Sequence, residues 1–90
     1  MINNPFHPGL FLQELLEQMS ITPYRLAKDT FMPATRVGDI LKQRRSVTPD
    51  TAKRLAKYFG TTAAYWLNLQ SSYDLSKCQP EHLDDIHAIA

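Results

Sequence analysis

Three residues able to hold a metal or act as nucleophiles lie in one short stretch of this 90-residue chain: Cys78, His82 and His87. On a continuous helix, positions 82 and 87 are about 140° apart around the axis, so the two imidazoles diverge instead of converging like an i, i+4 ligand pair. No metal is expected there. The third histidine, His7, precedes Pro8 and suits the cap of a first helix. The three glycines stand at 9, 38 and 60, too scattered to cradle a phosphate. No nucleophile, base and orienting group share a recognisable spacing. The chain therefore reads as a non-enzyme with no cofactor.

The basic residues carry more information. Residues 22–60 hold Arg25, Lys28, Arg36, Lys42, Arg44, Arg45, Lys53, Arg54 and Lys57 against Asp29, Asp39 and Asp50, a net +6, whereas residues 1–21 carry −2 and residues 61–90 carry −3. A basic centre between acidic ends suits a polyanion, although solvated helix faces give the same charge pattern.

The elements that position these side chains are short helices, each opened by Pro or Thr. Pro8 starts a helix over roughly 8–19 with Phe11, Leu12, Leu15, Leu16 and Met19 on one face. Thr22 and Pro23 open a second through about Asp29, with Leu26 and Ala27 inward and Tyr24, Arg25 and Lys28 outward. Pro33 restarts a third over 33–42 with Val37, Ile40 and Leu41 inward. Thr48 and Pro49 begin a fourth, lined by Ala52, Leu55, Ala56 and Phe59 and ended by Gly60. Thr61 and Thr62 cap a fifth through Gln70. Pro80 followed by Leu83, Ile86 and Ile89 fits either one more amphipathic helix or a fraying tail.

The second and third helices with their tight turn make a helix-turn-helix, in which one helix braces on the DNA backbone and the next enters the major groove. With Val37, Ile40 and Leu41 inward, the third helix turns Ala34, Thr35, Gly38, Asp39 and Lys42 outward and Arg36 to the flank. Ala34, Thr35, Arg36 and Asp39 are the candidate base-reading residues. Thr35 can bond a base or touch a thymine methyl, Arg36 can read guanine or grip a phosphate, and Asp39 can accept from cytosine or orient an arginine. Tyr24, Arg25, Lys42, Gln43, Arg44 and Arg45 are candidates for the phosphate backbone, which fixes register without reading sequence. Gly38 costs about 1 kcal/mol relative to Ala inside a helix, which points to close approach by a surface or to simple tolerance.

Length and composition bound the rest. Ninety residues with 43% hydrophobic and 21% charged residues fit one globular binding module, with a domain over 1–75 and a tail over 76–90. A single cysteine, no apolar run near a membrane span and no signal-peptide pattern point to a cytoplasmic, nucleoid-associated protein.

Thr22 to Leu75, and above all TPDTAKRLAKYFGT followed by YWLNLQ, resembles the HigA/VapI group of antitoxins within the Xre (Cro/cI-type) helix-turn-helix class, and His7-Pro8-Gly9 resembles that group's start. The resemblance covers about residues 7–75. It implies an all-α, five-helix, lambda-repressor-like DNA-binding domain, usually dimeric. It also implies repression of the protein's own operon and neutralisation of a HigB-like, mRNA-cleaving toxin. The family's major-groove helix falls on Pro33 to Lys42 and its phosphate-contacting loop on Gln43 to Arg45. Two positions depart from the pattern: Phe31 stands where the turn commonly has Gly, and Gly38 replaces a larger polar residue, removing one possible base contact.

One helix-turn-helix buries a modest area, so a homodimer reading two half-sites on double-stranded operator DNA is expected. Tyr65, Leu69 and Tyr73 are the candidate dimer interface, while Trp66 and Leu67 read as the monomer's own core. A stand-alone Xre-type repressor without a toxin is the nearest alternative, and a protein-interaction adaptor with an acidic partner a remoter one.

Overall fold

Four of the five helices begin where a side chain supplies an acceptor for an otherwise unpaired amide. The computed structural model describes residues 5–89. In α1 (Pro8–Met19) His7 Nδ1 accepts from the Gly9 amide at 2.9 Å, and in α2 (Pro23–Thr30) Thr22 Oγ1 accepts from the Arg25 amide at 3.1 Å. Thr48 and Thr62 do the same for α4 (Pro49–Phe59) and α5 (Ala63–Lys77). The exception is α3 (Ala34–Leu41): Pro33 sits just outside it with extended backbone and no side-chain cap, one residue later than the periodicity suggests.

Leu12, Leu16, Leu26, Val37, Ile40, Ala52, Leu55 and Trp66 are buried together, joined by Met32 and Val47 from the connections. Each large apolar side chain withdrawn from water contributes about 1.5–3 kcal/mol. Trp66 is fully buried as expected, and its indole Nε1 donates to Thr61 Oγ1 at 2.8 Å, so the polar edge is satisfied. Leu67 packs at the margin of the same core.

Two glycines of contrasting type, one on α1 against α3 and one within α3, bear on this helix. A Cβ on Gly9 would collide with the carbonyl oxygen of Ile40, so the first turn of α1 lies directly on the backbone of α3. A Cβ on Gly38 would meet nothing within 4 Å. The third, Gly60, takes φ 72 and ends α4 in the left-handed region, as its position suggested.

The structure departs from the sequence reading after Gln70. α5 continues to Lys77, because no Gly or Pro interrupts it, Gln70 Nε2 donates to Asp74 Oδ1 one turn on, and Tyr73 packs edge-on to His7 at 5.1 Å. The amphipathic helix considered after Pro80 does not form. Only a three-residue turn, Leu83–Asp85, is present, and Leu83, Ile86 and Ile89 are exposed, with no packed surface to reward helix formation. Among the described residues there is no strand.

Candidate nucleic-acid interface

The two helices of the motif meet through a turn that sequence alone made doubtful. Phe31 takes φ 57, the left-handed conformation glycine enters more cheaply, and the Met32 amide donates to the Ala27 carbonyl at 3.0 Å, closing α2 in a Schellman-type end. The turn geometry is thus retained with Phe in place of Gly, and the ring is left 87% exposed.

α3 divides as its periodicity dictates. Val37 and Ile40 are buried, Ala34 and Thr35 are exposed, and Arg36, Gly38, Asp39 and Leu41 are half-buried. Ala34, Thr35 and Asp39 therefore lie away from the core with only small or short polar groups above the backbone. Arg36 behaves differently. Its Nη1 donates to Asp50 Oδ2 at 2.7 Å in the first turn of α4, tethering the flank of α3 to its neighbour.

Lys42, Gln43, Arg44 and Arg45 follow as an exposed basic loop. Gln43 takes φ 62, and the Arg44 amide donates to the Asp39 carbonyl at 2.8 Å, which folds the loop back against the end of α3. Arg45 Nη2 lies 3.6 Å from Asp39 Oδ2, a loose ion pair between the loop and the end of α3. Among the described residues Lys42 and Arg44 make no ion pair. At the start of α2, Tyr24 is 73% exposed and Arg25 pairs with Asp29 at 3.3 Å. Asp29 also accepts from the Tyr58 hydroxyl at 2.7 Å, the main reason its carboxyl stays below the usual carboxylate range.

Two residues that sequence reasoning did not single out, Gln70 and Arg54, tie this region to the rest of the fold. Gln70, buried on α5, accepts from the Val47 amide at 2.8 Å across 23 positions. Its only sequence signal is a polar residue one turn after Trp66 on the core-facing stripe. Arg54 Nη1 donates to the Thr30 carbonyl at 2.9 Å and so caps the end of α2 from α4. His7 is buried, and that burial holds the imidazole pKa below the ordinary 6.5, so the neutral form predominates at neutral pH.

The candidate dimer residues are spread along α5. Tyr65 is 42% exposed and packs edge-on to Phe11 and Trp66, Leu69 is partly buried against the monomer's core, and Tyr73 is half-buried beside His7. Among the described residues no group of His, Cys, Asp and Glu is arranged to hold a metal ion, and no helix is long and apolar enough to cross a membrane.

Comparison with known proteins agrees with this geometry. A helix-turn-helix family profile matches residues 12–66. Virulence-associated protein I of Dichelobacter nodosus is 40% identical over 76 residues, covering 83% of this chain and 70% of that protein. The structure of the Pseudomonas aeruginosa antitoxin HigA with the higBA promoter superposes with a TM-score of 0.87 at 35% identity, over 96% of this chain and 99% of that one. An addiction module antidote protein of a HigA family from Coxiella burnetii gives 0.74 at 41% identity, covering 86% of this chain and 98% of the other.

Proposed function

Because the chain belongs to the helix-turn-helix family, we propose that it is the antitoxin of a type II toxin–antitoxin pair, repressing its own operon and neutralising a HigB-like, mRNA-cleaving toxin. The family is one of DNA-binding antitoxins and regulators, not of enzymes. The observation that carries the reading is the likeness, along nearly the whole chain, to an antitoxin whose structure is with the higBA promoter. The exposed small-polar face of α3 beside a basic loop supports it from the chain's own residues.

In this reading α3 lies in the major groove. Thr35 and Asp39 read base edges, Ala34 lets the backbone come close, and Arg36 reads from the flank. Tyr24, Arg25, Lys42, Gln43, Arg44 and Arg45 hold phosphates on either side and set the register. Two copies meet through Tyr65, Leu69 and Tyr73 on α5, so the dimer spans two half-sites. Residues 1–75 are the DNA-binding unit and residues 76–90 an appendage to it. Such a protein works at the nucleoid in the cytoplasm.

The test is fluorescence anisotropy of the protein on DNA from its own upstream region, with scrambled competitor and a salt series, repeated with the product of the adjacent small reading frame. Neutralising several phosphates makes affinity fall by orders of magnitude between about 50 and 200 mM salt. Tight, competitor-resistant, salt-steep binding, together with a stable complex with the neighbouring protein, supports the antitoxin reading. The same DNA binding without such a complex leaves a stand-alone repressor. Weak binding that scrambled DNA matches, with and without the neighbour, rejects both and favours an adaptor for an acidic protein.

A further inference from the structure

Arg36 is the one candidate base-reading residue whose direction is set by another helix. It stands in the first turn of α3, its side chain is 28% exposed, and Nη1 is committed to Asp50 Oδ2 at 2.7 Å. The same oxygen accepts from Arg54 Nε at 3.0 Å, and Arg54 Nη2 reaches Oδ1 at 3.4 Å. Arg54 in turn is fastened to the Thr30 carbonyl at the end of α2. The described hydrogen bonds therefore form one chain from α3 through Asp50 and Arg54 to α2, and they leave Arg36 Nε and Nη2 uncommitted.

The two guanidiniums, Arg54 foremost, hold the Asp50 carboxyl below the usual carboxylate range, so it is ionised at neutral pH. Its place in the first turn of α4 also favours a negative charge, since the helix dipole is positive there. An exposed ion pair adds little to stability, because solvent screens it and two long side chains lose freedom. Its larger effect is directional. Arginine reads guanine through two N–H groups held in one plane, and a guanidinium already fixed in orientation loses less freedom on docking. A notch of about 270 Å³, lined by Arg36, Arg45, Ser46, Thr48, Asp50 and Thr51, lies beside the guanidinium. With the Asp50 carboxylate removed, Arg36 has room to swing toward the loop.

We infer that Asp50 is a positioning residue for sequence recognition: from α4 it aims the free edge of Arg36 at the paired acceptors of a guanine in the major groove. The inference rests on the proposed reading of DNA by α3 and adds to it a specificity determinant outside the motif's two helices.

The experiment first selects preferred duplexes from a random library with the wild-type protein, then compares selected and scrambled duplexes for Asp50→Ala, Asp50→Asn, Arg36→Ala and the double variant Arg36→Ala/Asp50→Ala. Thermal melts accompany each variant. The expected result is a loss of roughly ten-fold or more in the selected-to-scrambled affinity ratio for Asp50→Ala and for Arg36→Ala. Scrambled DNA stays bound at least as well by Asp50→Ala, since a negative charge has gone. Asp50→Asn, isosteric and still able to accept one hydrogen bond, falls between, and the double variant is no worse than Arg36→Ala alone. The inference is overturned if Asp50→Ala or Asp50→Asn keeps the wild-type ratio, if Asp50→Ala weakens both duplexes alike, or if the two losses multiply in the double variant. Should the wild-type protein enrich no sequence at all, the DNA-reading function itself fails, an outcome distinct from selection that survives loss of Asp50.

Discussion

The two faces of α3 differ sharply. On the inner face Val37 and Ile40 are almost completely buried, Gly9 lies against the Ile40 carbonyl, and a methyl group added at Gly9 has nowhere to go. On the outer face Ala34 and Thr35 are open to solvent, and a methyl group added at Gly38 meets nothing. The same eight-residue helix is held rigidly on one side and left bare on the other. That is what a reading element requires, because a helix that must fit a groove needs its position fixed by contacts that the groove does not use.

The contrast can be broken first at Gly9. Gly9→Ala forces α1 and α3 apart, and since the obstacle is backbone with little freedom to relax, we expect a loss of about 3 kcal/mol or more in urea unfolding. A stability within error of wild type would mean that the inner face is not close-packed there. On the outer face, Thr35→Ala is expected to leave the melting temperature nearly unchanged while reducing discrimination among operator variants by about 1–3 kcal/mol, measured by competition binding. Equal affinities across variants before and after the change would remove Thr35 from the reading set.

Gly38→Ala sharpens the contrast within a single position. Without DNA it should raise stability by up to about 1 kcal/mol, because alanine favours the helix and its methyl group has space. If the glycine serves close approach to DNA, operator affinity falls in the same variant. Stabilisation with unchanged affinity would show that Gly38 is merely tolerated.

The inner face also carries a pH signature. His7 caps α1 as a buried imidazole whose folded pKa lies below 6.5. The unfolded chain therefore takes up the proton first as pH falls. The stability contributed by neutral His7 is complete above pH 6.5 and declines below it, toward the lower pKa of the folded state. His7→Asn keeps a capping acceptor, so its melting temperature should not show that decline, and a parallel fall in both proteins would assign it to other groups.

The smallest effect is expected beyond α5. Residues 79–89 are exposed throughout, so deleting the chain from Gln79 onward should change unfolding free energy by no more than about 0.5 kcal/mol. A larger loss would join the tail to the domain.

What could be read from sequence was local. Thr22, Thr48 and Thr62 announce their helices because a cap acts within three residues, and Gly60 announces an end because its backbone conformation is its own. The buried stripe Val37 and Ile40 follows from helical period, which also put Ala34 and Thr35 outside. The links that lock these elements together span the chain: Arg36 to Asp50 across 14 positions, Gln70 to Val47 across 23, and Arg54 to Thr30 across 24. Those pairings depend on how helices pack, and nothing near each residue specifies its partner. The end of α5 was missed although no Gly or Pro interrupts it; only the packing of Tyr73 on His7, from the far end of the chain, is beyond local reading. At Phe31 the residue type departs from the glycine common in that turn, but the hydrogen bonds closing α2 hold the left-handed conformation all the same.

Operator recognition requires that α3 read sequence in the DNA beside the protein's own gene. Hydroxyl-radical footprinting of the purified protein on its upstream region should reveal two protected half-sites of related sequence, centred about one helical turn, 10–10.5 base pairs, or a multiple of it apart. Thr35→Ala should weaken that footprint more than it weakens binding to unrelated DNA. Protection spread evenly along the fragment, or none at concentrations that retard any DNA equally, would contradict the claim that this face recognises an operator.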